Sequence, residues 1–293
     1  MNMITIENDF LRAEISLRGA ELRALSDKQS ACEILKRTDD PDWSGCAPIL
    51  FPICGRLWEQ TTTVDGQAYR MGTHGFASSS CFTVSERSAE AVTLTLTESA
   101  ETLAVYPFPF CLSVTYSLSE ASLETSVEIT NRGTAPMPCS VGFHPGFRMP
   151  VGGEGGFDDA YLDFEAPTSP AIWSLSAGGY LLRGTLPYPL ADEKTLPLSE
   201  KVFAENDSVF FEGTGGAVTL RSHRSARAVR LDYAPAPYLG LWKPVGSTAF
   251  LCIEPWYGCP DYDGISTALS DKRDMLHLSA GATHTVSYRI SVS

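Results

Sequence analysis

No apolar run in this sequence approaches the length that spans a membrane. Residues 1–5 also lack the basic segment and apolar core of an export signal. These absences predict a cytoplasmic protein without a membrane partner.

Positive charge is scarce. The 293 residues include 22 Lys and Arg against 35 Asp and Glu, a net charge of −13. The densest basic stretch, residues 221–230, lies among strand-like residues, and an acidic surface repels nucleic-acid phosphates. We expect a small neutral ligand and no nucleic-acid partner. The sequence leaves open whether the protein is a monomer or a homodimer.

Metal-binding spacings are missing as well. The eight cysteines form no C-x-x-C pair, and the histidines show no H-x-x-x-H spacing. Without an export signal, free thiols are favoured over disulfides. We expect no metal ion, since a zinc site would have to be assembled from distant residues.

Long segments with a helical period are absent, and only residues 101–106 suggest a helical turn. Short stretches of period-two alternation are separated by turn residues, and Asp65-Gly66 predicts a type I′ hairpin turn. Strands are predicted in residues 10–25 (two, with a turn at Arg18-Gly19), 61–64, 67–70, 81–86, 91–97, 110–119, 123–130, 208–212, 217–221, 228–233, 238–242, 249–254 and 284–292. The pattern predicts an all-β protein, a large antiparallel β-sandwich that forms one domain over residues 1–293.

A histidine follows one small, apolar, strand-like stretch. His144 comes directly after residues 136–143 and before Pro145-Gly146, which cannot continue a strand ladder. This places an imidazole at a strand end, where sheet proteins present functional side chains. The alternative is a core histidine that bonds a backbone carbonyl.

A carboxylate stands inside the apolar stretch 251–258. Burial of Glu254 beside Ile253 and Trp256 should raise its pKa toward the range of a general base. Pro255 is expected to stop the strand and leave the carboxylate at a rim. The alternative is an ion pair with Arg56 or another cation.

Four segments in this order resemble the aldose 1-epimerase, or galactose mutarotase-like, family, and most closely its LacX-type branch. They are residues 47–56 (APILFPICGR), 74–77 (HGFA), 144–145 (HP) and 252–258 (CIEPWYG). The first is too apolar for an exposed loop and should pack inward and present Arg56. The resemblance runs from about Thr5 to the C-terminus and implies a galactose mutarotase-like supersandwich.

The resemblance also implies roles for five residues. His144 is similar to the family's general acid, Glu254 to its general base, and Arg56 and His74 to its sugar ligands. Asp207 resembles the acidic residue that binds sugar hydroxyls. From the residues alone, Arg56 could be a surface cation, His74 a turn-stabilising imidazole and Asp207 a turn cap. Trp242 could stack on a sugar or be a buried core residue.

One position departs from the family pattern. Relatives commonly have arginine after His-Gly-Phe-Ala, where this chain has Ser78, followed by Ser79 and Ser80. Serine cannot replace the charge or the two-pronged grip of a guanidinium on phosphate. Neutral sugars are therefore expected over sugar phosphates.

The implied activity is interconversion of the α and β anomers of a free aldose. One group takes a proton from the C1 hydroxyl, another gives one to the ring oxygen, and no cofactor is needed. The alternative is a carbohydrate-binding or sugar-sensing protein on the same fold. A glycoside hydrolase would need two carboxylates that flank the bond. Glu254 has a clear motif, and the only candidate for the second carboxylate is Asp207, whose motif is weaker.

Overall fold

The computed structural model describes residues 3–166, 168–203, 207–233 and 236–293, which are mostly β-strand. Strands β1 to β25 are, in chain order, Met3–Glu7, Leu11–Ser16, Leu22–Asp27, Cys32–Glu33, Ile49–Leu50, Thr61–Val64, Gln67–Arg70, Thr83–Arg87, Ala91–Thr97, Phe110–Ser119, Ser122–Asn131, Met137–Cys139, Val141–Phe143, Gly146–Arg148, Ala160–Phe164, Ala171–Leu175, Leu181–Pro187, Thr195–Pro197, Ser208–Glu212, Ala217–Ser222, Ser225–Asp232, Tyr238–Trp242, Phe250–Tyr257, Leu276–Leu278 and Thr283–Val292.

Helical structure is limited to short segments among the described residues. One α-helix, α1, spans Ala100–Val105 and begins with a capping box between Ser99 and Thr102. Single 3-10 turns lie at Trp58–Gln60, Ala77–Ser79, Val151–Gly153, Phe157–Asp159, Glu200–Phe203 and Leu269–Asp271. No helix of the described residues is long and apolar enough to cross a membrane.

Two large sheets dominate the molecule. The nine-stranded sheet has the order β18-β15-β20-β21-β25-β11-β10-β9-β8. The eight-stranded sheet has the order β17-β16-β19-β22-β23-β13-β5, with β14 also paired to β23. The remaining strands form a four-stranded sheet, β1 to β4, and two pairs, β6-β7 and β12-β24.

The two large sheets pack through a shared apolar core. Phe143 of β13 and Tyr288 of β25 place their ring centroids 4.5 Å apart, one from each sheet. Along β11 and β25 every second residue is buried in this core, as period-two alternation requires. The ladders in both sheets are antiparallel, so the predicted all-β antiparallel sandwich is confirmed.

Most predicted strands are present within one to three residues of their expected ends. The hairpin at Asp65-Gly66 is confirmed, with φ angles of 49° and 80° at the two turn residues. Strands β15, β16 and β17 are not predicted by the sequence pattern. In β17 only Leu181 is buried, so this edge strand lacks the apolar alternation on which the prediction depends.

Strand β23 corrects one expectation. It does not stop at Glu254-Pro255 but continues to Tyr257, and Glu254 is only 2% exposed rather than at a rim. The segment that pairs with β23 on this edge, β13 to β14, explains why proline is tolerated. The Ile253 N–H donates to the Pro145 carbonyl, and Pro255 lies between this bond and the last β13–β23 pair, Gly142 with Trp256. Proline is therefore tolerated at a position where the pairing along this edge is already interrupted.

Candidate active site

A cavity of about 520 Å³ lies on the face of the eight-stranded sheet turned away from the sandwich core. Its size is typical of a small-molecule site. The five residues singled out from the sequence all line it: Arg56, His74, His144, Asp207 and Glu254. They come from five separate segments, so the fold rather than sequence proximity brings them together.

His144 and Glu254 meet at the floor of this cavity. The His144 Nε2 atom lies 3.2 Å from the Glu254 Oε2 atom, and the two residues are 9% and 2% exposed. The contact follows from the break between β13 and β14, because the chain leaves the ladder at His144 beside the middle of β23. The imidazole of His144 thus faces a carboxylate, and among the described residues Glu254 makes no ion pair with Arg56.

Burial governs the protonation of the pair. It lowers the pKa of His144 to about 4 and raises the pKa of Glu254 well above its usual range. The Trp256 side chain lowers the pKa of Glu254, and the charge of Asp207 raises it further. Both shifts favour the uncharged forms, a neutral imidazole and a neutral carboxyl, and in that state the pair holds one proton and carries no net charge.

Strand β22 leaves room for the carboxylate. Gly240 stands directly opposite Glu254 in the ladder, and a Cβ atom at this position would lie 3.3 Å from the Glu254 Cβ. Two residues further along the same face, the Trp242 indole N–H donates to Asp207 Oδ2 at 3.0 Å. Asp207 is therefore held by a cavity wall residue through Oδ2, while its Oδ1 accepts from the Ser208 hydroxyl at 2.8 Å.

His74 lies at a tight turn beside the cavity. Its Nδ1 accepts the Gly55 N–H at 3.0 Å, and burial lowers the pKa of His74 well below its usual value, with His144 and Arg56 adding to the shift. The imidazole therefore stabilises a turn and also leaves Nε2–H as a donor. Gly75 follows with φ of 74°, where a Cβ would come within 2.3 Å of the Phe51 carbonyl oxygen.

Arg56 is the cation that lines the cavity. The segment before it, residues 46–55, is buried, as expected from its composition, while Arg56 itself is exposed. Among the residues that the structure describes, its guanidinium has no ion-pair partner. An unpaired guanidinium at a cavity wall is available to hydroxyl or anionic oxygens of a ligand.

Comparison with known proteins identifies the family. The family model described as "Aldose 1-epimerase" matches residues 2–263. The chain belongs to the aldose 1-epimerase family. The LacX protein encoded on a plasmid of Lactococcus lactis subsp. lactis is 31% identical over 297 residues, which cover 99% of each chain.

Two solved structures of related proteins share the fold. One is a galactose mutarotase-like protein from Lactobacillus casei ATCC 334, which is 33% identical with a TM-score of 0.93 and full coverage of both chains. The other is a galactose mutarotase related enzyme from Lactobacillus acidophilus, which is 30% identical with a TM-score of 0.92 and covers 100% of this chain and 97% of its own. The galactose mutarotase-like fold expected from the sequence motifs is confirmed.

Two residues at this site, Trp43 and Cys252, were not predicted from the sequence. Trp43 lies against His144 with ring centroids 5.0 Å apart and meets Trp242 edge-on at 5.3 Å, forming an aromatic wall of the cavity. Its irregular loop carries no periodic signal, and only its position just before residues 47–56 points to the site. Cys252, two residues before Glu254 on β23, is fully buried beside the pair.

Ser78, the residue after His-Gly-Phe-Ala, also lines the cavity. The next two serines are engaged elsewhere, because Ser79 Oγ and Ser80 Oγ both donate to the Phe76 carbonyl at 3.0 and 2.9 Å. The cavity therefore gains one neutral hydroxyl from this segment and no charge.

Proposed function

We propose that this protein is an aldose 1-epimerase that interconverts the α and β anomers of a free, neutral aldose. Glu254 takes the proton of the C1 hydroxyl, and His144 gives a proton to the ring oxygen. The observation that carries the proposal is the 3.2 Å contact between an imidazole and a carboxylate on the floor of a sugar-sized cavity.

In this mechanism, one proton shared by the pair supplies both roles. Transfer from Glu254 to His144 across their contact creates a carboxylate and an imidazolium without changing the net charge of a site whose burial penalises isolated charges. The carboxylate then removes the hydroxyl proton while the imidazolium protonates the ring oxygen, and the ring opens to the aldehyde. After rotation about the C1–C2 bond the two groups reverse roles, and the ring closes on the other face.

Three further residues hold the sugar in this proposal. The unpaired guanidinium of Arg56 and the Nε2–H of His74 donate hydrogen bonds to ring or hydroxyl oxygens. Asp207 accepts hydrogen bonds from hydroxyl groups, oriented by the Trp242 N–H. The indoles of Trp43 and Trp242 offer apolar faces to the C–H side of the ring.

The test is the rate of anomer exchange, followed by NMR or polarimetry on freshly dissolved glucose, galactose and other neutral aldoses. We expect the wild-type protein to accelerate exchange. Glu254→Gln and His144→Asn should each lower kcat by about 10² to 10⁴, because each removes one proton-transfer group. Glu86→Gln, at an exposed position of β8, is the matched control and should leave kcat unchanged.

The same experiment separates an enzyme from a sugar-binding protein. A wild-type protein that binds aldoses in a calorimeter but leaves their exchange rate at the uncatalysed value would contradict the proposed function. Retention of binding by Glu254→Gln, together with loss of turnover, would support it, since Arg56, His74 and Asp207 remain in place.

A further inference from the structure

Cys252 has no role in the proposed reaction, yet its thiol belongs to a compact set of metal-ligating groups. One ligand atom each from His144, Cys252 and Glu254 lies within 4.8 Å of the other two. Cys252 and Glu254 are two residues apart on β23 and so face the same side, and His144 reaches them from the break between β13 and β14. The set is assembled from distant segments, which is why no spacing in the sequence reveals it.

The donor set selects for zinc-like ions. Imidazole nitrogen, thiolate sulfur and carboxylate oxygen are the three ligand types that Zn²⁺ takes in proteins, whereas Mg²⁺ and Ca²⁺ prefer oxygen alone. A thiolate and a carboxylate together neutralise a divalent ion, so the filled site has no net charge in surroundings that disfavour isolated charges. Three protein ligands also leave a fourth position open on the cavity side, where His144 and Glu254 are exposed to ligand.

We propose that His144, Cys252 and Glu254 form an inhibitory Zn²⁺ site inside the sugar pocket. The inhibition rests on the proposed epimerase function, while the binding does not. A bound ion occupies the lone pairs of the imidazole and the carboxylate, so neither group can transfer a proton, and it stands where the C1 end of the sugar is held. Zn²⁺ therefore competes with the sugar.

Binding is tested first, without reference to activity. The purified protein is titrated with CoCl₂ as a spectroscopic substitute for zinc, followed by displacement with ZnCl₂. We expect one thiolate-to-Co²⁺ charge-transfer band that saturates at one ion per chain and disappears on addition of Zn²⁺. Cys252→Ser and Cys252→Ala should both lose the band, and Cys81→Ser, which removes an exposed thiol, should keep it.

Inhibition is tested next by anomer exchange in the presence of ZnCl₂, with EDTA reversal and MgCl₂ as the ion control. Zn²⁺ should inhibit the wild-type protein reversibly and Mg²⁺ should not. The Cys252 variants should need at least tenfold more Zn²⁺ for the same inhibition.

The outcomes separate the two proposals. A Cys252-dependent Co²⁺ band in a protein without epimerase activity leaves the metal site standing and removes the proposed function. The absence of a band in an active wild-type protein, or equal Zn²⁺ sensitivity of wild type and Cys252 variants, overturns the metal site.

Discussion

In the His144–Glu254 pair, burial affects the pKa values of both groups more than the attraction between opposite charges does. The sequence predicts a raised pKa for Glu254, and the structure agrees in direction. A nearby carboxylate raises the pKa of an imidazole, and burial opposes this effect. In the structure burial dominates, and the pKa of His144 falls to about 4. Motifs locate such a pair, but only the packing around it fixes its charge.

The lowered pKa of His144 gives a prediction for activity. In the proposed mechanism the pair functions with one proton, so activity should fall when His144 takes a second proton, at about pH 4 rather than near the 6.5 of an ordinary imidazole. The kcat/KM of anomer exchange, corrected for the uncatalysed rate, should stay constant from neutral pH down to about pH 5. Circular dichroism at each pH would show that the fold persists. An acid limb centred near 6.5 would count against this description.

The raised pKa of Glu254 gives a prediction for stability. Its carboxyl binds a proton more tightly in the folded than in the unfolded chain, so its contribution is fully present below the unfolded value of 4.5 and is lost as pH rises toward the folded value. Glutamine does not titrate. Glu254→Gln should therefore gain Tm relative to wild type above pH 4.5, by about 2 °C per pH unit over that interval.

Calorimetric scans between pH 4.5 and 8 would measure this difference. The exposed Glu86→Gln variant is the control and should show none. A Tm difference for Glu254→Gln that does not change with pH would show that the carboxyl titrates alike in the folded and unfolded chain.

At the scale of elements, short-range patterns predict strands well where one face is buried. The ends of β9, β10, β19 and β22 agree with the alternation in their sequences. Two features depend on neighbours and are not predicted. Strand β23 continues through Pro255 because the pairing of the adjacent segment is interrupted at His144, between β13 and β14. Strand β17 pairs at an exposed sheet edge and has little apolar character. The same break creates the His144–Glu254 contact, so the candidate site depends on the feature that local patterns miss.

The loop that carries Trp43 is fixed by a buried cation. Lys36 is 2% exposed, and its ammonium donates to the carbonyls of Arg37, Trp43 and Gly45 at 2.7, 2.6 and 2.8 Å. The same ammonium lies 5.1 Å from the Trp43 ring centroid. Three donors thus meet three carbonyls, which offsets the cost of burying the charge and places the indole against His144.

Replacement of Lys36 tests this arrangement. Lys36→Met removes three charge-assisted hydrogen bonds and leaves the carbonyls without a donor, at about 1.5 to 3 kcal/mol for each bond. We expect a lower Tm and a KM for aldoses raised about tenfold, because Trp43 loses its position at the cavity wall. The exposed Lys201→Met variant controls for charge. An unchanged KM would mean that Trp43 does not contribute to sugar binding.

At the scale of the whole molecule, we expect charge to determine which sugars bind. Residues 221–230 are the densest basic stretch of the sequence and could supply an arginine to a phosphate site. In the structure these arginines lie on the nine-stranded sheet and none lines the cavity, and several pair with acids, as Arg221 does with Asp163, Arg227 with Asp27 and Arg230 with Asp232. Arg56 remains as the arginine at the cavity wall in a protein of net charge −13.

The last prediction follows from the excess of negative charge and from Arg56 at the cavity wall. An acidic molecule repels a dianionic sugar phosphate, so neutral aldoses should have the higher kcat/KM in the wild-type protein. Ser78→Arg adds a guanidinium where the hydroxyl lines the cavity. One new charge-assisted contact of about 1.5 to 3 kcal/mol should raise kcat/KM for a hexose 6-phosphate by roughly tenfold or more. The neighbouring Ser79→Arg is the matched control, since the Ser79 hydroxyl bonds the Phe76 carbonyl and the residue does not line the cavity. A wild-type protein that already prefers the 6-phosphate, and that responds equally little to both substitutions, would show that another part of the cavity recognises the sugar.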